Sequence, residues 1–268
     1  RRRLQGNSAE KSPIAGSDPL DQVLASADAC PKCHGVGWLR HEVPLDHPDF
    51  GQAFPCDCTV AEALANRERH YRVYCELPEK LLRKTFATLD PRPELLPKEQ
   101  EALAQVIETA RSFARGRADF KWLVLAGAYG WGKTHMAVAI LNERMVDSVF
   151  GPPGKYANWP ELLNDLRDGF QDDTYGDRLE RYRKAPLLLL DDVGMQSQKR
   201  NEGISWASEQ LYLLLNYRAV NEMETIVTTN VRAEDLDPRV ADRLLDNRTG
   251  LCRVISLTIP SYRSGRTW

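Results

Sequence analysis

The sequence predicts an α/β domain, a doubly wound parallel sheet with helices on both faces, preceded by a small metal-binding module. Three observations predict it. Short apolar runs of strand length alternate with longer segments whose apolar residues recur at helical spacing. One run, Trp122–Ala126, leads directly into GAYGWGKT at Gly127–Thr134, and another, Leu187–Leu190, ends in the carboxylates Asp191 and Asp192. Ahead of this alternation lie two close cysteine pairs, Cys30-x-x-Cys33 and Cys56-x-Cys58.

The chain of 268 residues suits one such domain with a small appendage. A net charge of −2 excludes a globally basic nucleic-acid coat, so any DNA contact must be local. No apolar stretch reaches transmembrane length, and no membrane partner is expected. Arg1–Arg3 runs into polar Gln5–Lys11 rather than a signal-peptide core, and the missing initiator methionine suggests a processed or tagged start. Residues 1–28, rich in Gly, Ser, Pro and charge, are expected to be disordered.

Residues 29–75 are expected to form a zinc-binding module and a linker helix. Zn²⁺ takes four soft ligands in a tetrahedron, and Cys30, Cys33, Cys56 and Cys58 supply them as two close pairs joined by a loop. Nucleotide-driven chemistry belongs in the cytoplasm, where thiols stay reduced, which favours metal over disulfides. His34, His41 and His47 are alternative ligands or surface histidines, and Cys75 and Cys252 read as small core residues. So small a module builds little core, and metal would supply its folding energy. Thr59–Cys75 is expected to be a helix with Thr59 as its cap, Ala61, Leu64 and Ala65 on one face, and Arg67, Arg69, His70 and Arg72 as a basic cluster, either solvated or on phosphate.

Residues 76–268 form the expected nucleotide domain. Asp90–Pro97 reads as a loop, and Lys98–Arg115 as a helix with Leu103, Val106, Ile107, Ala110 and Phe113 at helical spacing and Gly116 at its end. The pattern G-x-x-x-x-G-K-[ST] then sits between a strand and a helix, where a phosphate-binding loop belongs. Gly127, Gly130 and Gly132 let the backbone N–H groups turn inward, Lys133 is a point charge for the β- and γ-phosphates, and Thr134 offers Mg²⁺ a hydroxyl. Trp131 and His135 complete the stretch expected to bind ATP. The helix reaches about Met145; Lys155–Ala157 is the next strand, Glu161–Phe170 a helix, and a polar loop runs to Lys184.

A fully apolar strand suits the sheet centre, and its C-terminal end is where ligands sit. Asp191 there is expected to hold Mg²⁺ through water, and Asp192 to orient and deprotonate the attacking water. A second aspartate is shorter than the glutamate of many ATPases, which predicts slow turnover. Ile204–Val220 is a helix carrying Leu211, Leu214 and Leu215, Thr225–Thr229 a strand ending at Asn230, and Arg253–Leu257 the last strand. Asn230 either positions the attacking water or caps its turn. Arg239 and Arg243, four apart, share a helix face and suit either a neighbour's phosphate or an acid of their own helix, such as Asp242 or Asp246.

These motifs together resemble the AAA+ helicase loaders of bacteria and phages, the DnaC/DnaI type, with which the IstB transposition ATPases group closely. The resemblance covers about residues 30–262. It rests on GAYGWGKTHMAVAI, LLLLDDVG, the TTN ending at Asn230, DPRVADRLLD, and the cysteine module with HPDFG at His47–Gly51. It implies a P-loop AAA+ fold without a helical lid, ending soon after the last strand as this sequence does. It further implies an ATPase in which Lys133 and Thr134 bind nucleotide and Mg²⁺, and Asp191 and Asp192 form the acidic pair. Asn230 is then the first sensor, Arg243 the arginine finger and Arg239 its assistant, while no second sensor arginine is assigned, Arg263 included. The implied partners are a replicative DNA helicase, gripped by the N-terminal module, single-stranded DNA, and further copies of the chain in an ATP-dependent oligomer. Trp159, Arg167 and Phe170 lie where relatives face single-stranded DNA; alternatively Leu166 and Phe170 are core. Three functions fit: a helicase loader, a transposition accessory ATPase, and a nucleotide-gated binding module with negligible turnover.

Overall fold

The computed structural model describes residues 30–263 apart from 41, 46, 49, 148–153, 195–204 and 247. The expectation of disorder over 1–28 lies outside them. The chain divides into two compact units between Arg67 and Glu68.

In the first unit, β1 (Trp38–Arg40) pairs antiparallel with β2 (Ala53–Pro55), and α1 (Asp57–Cys75) starts there and runs on past the boundary. Thr59 does not cap that helix. The helix starts two residues earlier, and the Thr59 hydroxyl donates to the Gly37 carbonyl at 2.7 Å. Gly37 has φ +79°, and a Cβ there would stand 2.7 Å from Thr59 Oγ1, so both conformation and approach demand glycine. Ala61 and Ala65 are exposed rather than lining a buried face, and Arg69, His70 and Arg72 are exposed as well.

The second unit begins within α1, at Glu68, and continues with a short helix, α2 (Glu79–Leu82), and a 3₁₀ turn, Phe86–Thr88. Then come α3 (Pro97–Ala114), β3 (Trp122–Ala126), α4 (Lys133–Asp147), β4 (Gly154–Asn158), α5 (Trp159–Asp168) and α6 (Tyr175–Arg183). They are followed by β5 (Leu187–Val193), α7 (Trp206–Val220), β6 (Glu224–Thr229), α8 (Pro238–Leu244) and β7 (Cys252–Ser256). The strands form one parallel sheet in the order β4-β5-β6-β3-β7. Alternate strand residues feed two cores. Leu123, Leu125, Leu187, Leu189 and Ile226 pack with α3 and α4 on one face, while Trp122, Val124, Leu188, Leu190 and Val227 pack with α5, α6 and α7 on the other. Burial on both faces is why these strands read as unbroken apolar runs. Cys75 and Cys252 are buried in these cores, and burial pushes both thiols up to about 12.

The expected polar loop before Lys184 is in part a helix. Leu179 and Tyr182 anchor α6 one turn apart, and Arg178 bridges Asp165 and Asp172. Its remaining residues are mostly charged, which hid the periodicity. Among the described residues Arg218, on α7, is a fully enclosed cation. It donates to the carbonyls of Tyr182, Arg183, Ala185 and Glu224 and to the Thr225 hydroxyl, closing the ends of α6 and the start of β6. Burial lowers its pKa to about 9. Among the described residues no helix is long and apolar enough to cross a membrane.

Candidate functional site

The strand order puts β6 between β3 and β5, so the phosphate loop, Asn230 and the acidic pair meet at the C-terminal edge of the sheet. Gly127, Gly130 and Gly132 all have positive φ, at +113°, +86° and +108°, which lets the loop after β3 coil tightly before α4 begins at Lys133. The Lys133 ammonium is folded back onto the loop, donating to the carbonyls of Gly127 at 2.8 Å and Ala128 at 2.6 Å. Burial lowers its pKa to about 8, against the raising effect of Asp192 and Asp191.

Thr134 Oγ1 donates to Asp191 Oδ1 at 2.9 Å. The buried Asp191 also accepts from Thr228 Oγ1 at 2.6 Å and from Tyr156 at 3.3 Å, so β4, β5, β6 and α4 converge on one carboxylate. Strand β5 does not stop at Asp191. It continues to Val193 through a register shift between Leu190 and Val193, and Asp192 takes a left-handed φ of +56° there. Consecutive strand residues ordinarily point to opposite faces. The bulge instead leaves both carboxylates close enough to act on Lys133. Burial, and then the charge of Asp191, raise the Asp192 pKa. Asn230 Nδ2 donates to Asp192 Oδ1 at 3.3 Å.

The IstB-like ATP binding protein family matches residues 54–267. The chain belongs to that family. Its members are P-loop ATPases of the AAA+ class, related to the DnaI and DnaC helicase loaders and to insertion-sequence proteins. Over 160 residues the chain is 31% identical to a putative ATP-binding protein in an insertion sequence of Mycobacterium tuberculosis, a match covering 56% of this chain and 61% of that one. Over 117 residues it is 30% identical to the replicative helicase loader DnaI of Bacillus subtilis, covering 43% of this chain and 35% of that one. The chain thus spans between about a third and three fifths of the length of these two curated relatives. The crystal structure of DnaI aligns with a TM-score of 0.52 and 26% identity over 68% of this chain and 95% of that one. The DnaC helicase loader has the same fold, with a TM-score of 0.54 and 21% identity over 67% of this chain and 99% of that one.

Within this family member, two of the expected nucleotide residues have structural side chains. Trp131 is buried and donates its indole N–H to the Ala126 carbonyl at 3.2 Å, bracing the loop, and Lys133 lies over its ring. The His135 ring is bonded to the Thr85 carbonyl at 3.0 Å and the Thr88 hydroxyl at 3.2 Å. Tyr156 carries no motif, and Thr228 lies in the TTN whose Asn230 alone was given a role; the hold of both on Asp191 was missed by sequence reasoning.

Arg239 and Arg243 lie on α8 in different surroundings. Arg239 is paired with Asp237 and stacked on Tyr212, 4.8 Å from the ring centroid. Arg243 is held by the neutral Asn216 amide at 3.2 and 3.1 Å, and approaches Asp242 only to 3.9 Å. Asn216 orients that guanidinium without neutralising it. Near α5, Trp159 and Leu166 are buried core, so Trp159 offers no face to a base. Phe170 is exposed, stacks on Tyr175 at 4.3 Å and meets Trp206 edge-on, while Arg167 covers Trp206.

In the first unit the sulfurs of Cys30, Cys33, Cys56 and Cys58 all lie within 4.8 Å of one another. Cys30 and Cys56 are 3.8 Å apart, and Cys33 and Cys58 3.4 Å. Metal–sulfur bonds of about 2.3 Å in a tetrahedron separate sulfurs by about 3.8 Å, so the donor set fits a closed structural Zn²⁺ site. His34 is exposed and is not part of the cluster.

Proposed function

We propose that this protein is an ATP-hydrolysing loader that places a replicative helicase on DNA, with single-stranded DNA binding gated by ATP. The observation that carries the reading is the joining, in one chain, of a four-thiol module to an AAA+ nucleotide site. The DnaI relative supports the loader over other AAA+ tasks. Residues 29–75, the module and linker helix, would grip the helicase, and residues 76–268 would be the motor. Cys30, Cys33, Cys56 and Cys58 would hold Zn²⁺ as a fold-determining staple. The exposed Phe170, with Arg167, is the group best suited to a base or a phosphate.

In the nucleotide site, Lys133 would leave the loop carbonyls for the β- and γ-phosphates, joined by N–H groups of Gly130–His135. Thr134 and Asp191 would hold Mg²⁺, which supplies charge neutralisation at the phosphates. Asp192, oriented by Asn230, accepts the proton of the attacking water. Arg243 of an adjacent copy, assisted by Arg239, stabilises the charge on the γ-phosphate, so turnover requires an ATP-dependent oligomer. A reaction that consumes ATP, with thiols kept reduced, supports a cytoplasmic location.

A second reading, an accessory ATPase of transposition, is favoured by the family itself and by the insertion-sequence relative. Purified helicase and transposase, each offered with ATP and single-stranded DNA, separate the two. Capture of the helicase, lost in a Cys33→Ser variant, supports the loader; capture of the transposase alone overturns it. Negligible turnover under every condition would leave a nucleotide-gated binding module.

A further inference from the structure

Thr228 stands opposite both carboxylates of the acidic pair. Between β5 and β6 the register matches Leu190 with Val227 and Val193 with Thr229, so Asp191 and Asp192 together face the single residue Thr228. The Thr228 hydroxyl bonds each of them. It accepts from the Asp192 backbone N–H at 2.9 Å and donates to Asp191 Oδ1 at 2.6 Å. The first bond gives a partner to an N–H inside the slipped stretch, and the second pins the carboxylate. Thr229 does the same one step on, donating its hydroxyl to the Val193 carbonyl at 2.8 Å. Side chains of β6 thus carry the pairing through the slip. Thr228 is fully buried, and a β-branched side chain in a strand has few rotamers, so its hydroxyl has little room to turn away.

Asp191 is held from its other oxygen as well. Tyr156 on β4 donates to Oδ2 at 3.3 Å, and the phenol keeps its proton at neutral pH. With Thr134 and Thr228 on Oδ1, three of the roughly four lone-pair positions of a carboxylate are taken. Among the described residues the position left open is on Oδ2. The Asp191 carboxylate and the Thr134 hydroxyl are hard oxygen donors, which fits Mg²⁺. Partners that orient such a carboxylate set how well it meets a metal.

We propose that Thr228, with Tyr156 on the opposite oxygen, is the positioning residue of the acidic pair, and that its hydroxyl sets the metal dependence of nucleotide binding. The proposal rests on the nucleotide reading of the loop and deepens it. Thr228 touches neither nucleotide nor metal. It acts through Asp191, whose carboxylate it holds in one orientation, and through the Asp192 backbone, which it holds in the bulge. Threonine suits the position because a hydroxyl both accepts and donates, and here it must do one for each aspartate.

The test is calorimetric titration of the full chain with a non-hydrolysable ATP analogue, once with Mn²⁺ and once with a chelator. The variants are Thr228→Val, which keeps the shape and loses the hydroxyl, Thr228→Ser, which keeps the hydroxyl, and Tyr156→Phe. Thr228→Val should lower the ratio of metal-dependent to metal-free affinity by about tenfold or more, with metal-free affinity within about twofold of wild type. Thr228→Ser should recover most of that ratio. Tyr156→Phe, which loses the longer bond, should lower it by about threefold. A ratio unchanged in Thr228→Val, or a loss equal with and without metal, overturns the proposal. Should Thr228→Val not fold, a wild-type ratio in Tyr156→Phe overturns it and a lowered one supports it. Failure of the wild-type chain to bind the analogue under either condition, or binding undiminished in Lys133→Ala, overturns the loop reading instead.

Discussion

Asn230 donates its side-chain amide to Asp192 Oδ1 at 3.3 Å, joining the ends of β6 and β5 at the one place where β5 slips out of register. The slip depends on a left-handed backbone at Asp192, which aspartate and asparagine tolerate far better than most residues. Asp192→Asn therefore keeps the bulge and removes only the base. It should bind ATP like the wild type and lose hydrolysis by about 10²–10⁴-fold. Lys133→Ala should instead weaken ATP binding by about one to two orders of magnitude. Equal loss of binding in both variants would show that the roles are misassigned.

The four thiols predict one Zn²⁺ per chain in protein purified without added metal, read by elemental analysis. Cys33→Ser, or a strong chelator, should lower the metal content and unfold the first unit while the nucleotide domain still melts cooperatively. A metal-free chain whose first unit retains its structure would end this assignment.

Arg243 is oriented by a neutral amide, which predicts a role between subunits. Arg243→Ala should leave ATP affinity of the isolated chain nearly unchanged and abolish ATP-dependent oligomers with the hydrolysis that needs them. Mixing it with Lys133→Ala protein should restore part of the activity, because one copy supplies the loop and the other the finger. If Arg243 only steadies α8 against Asn216, its loss would leave turnover at the wild-type rate.

Arg218 predicts a purely structural effect. Arg218→Met fills similar volume but leaves the carbonyls of Tyr182, Arg183, Ala185 and Glu224 without a donor. At least about 3 kcal/mol of stability should be lost, a melting shift of about 6–12 °C. Arg218→Lys should recover only part, since an ammonium cannot span partners that the planar fork reaches. A shift below about 2 °C would mean that water replaces the guanidinium at little cost.

The phosphate loop, the acidic strand and the paired cysteines were legible in the sequence by itself. Each is a short run in which local chemistry constrains neighbours: glycines for the coil, an apolar strand before it, thiols two or three positions apart. The helices α3 and α7 were legible for the same reason, because their buried residues repeat every turn. The mostly charged α6 was not, since two contacts, Leu179 and Tyr182, carry its packing.

Only the tertiary structure decided how these parts meet. Nothing local says that β6 inserts between β3 and β5, yet that order brings Asn230 to Asp192 across 38 positions and Thr134 to Asp191 across 57. Nor does the run LLLLDDV reveal a bulge, because the left-handed turn at Asp192 arises from how β5 pairs with β6. The same holds for Arg92 reaching Pro260 across 168 positions, and for the Tyr262 backbone N–H reaching the Gly130 carbonyl. Residue type sets what a side chain can do, but a hydrogen bond between distant segments depends on sheet order and packing, and these are properties of the whole chain.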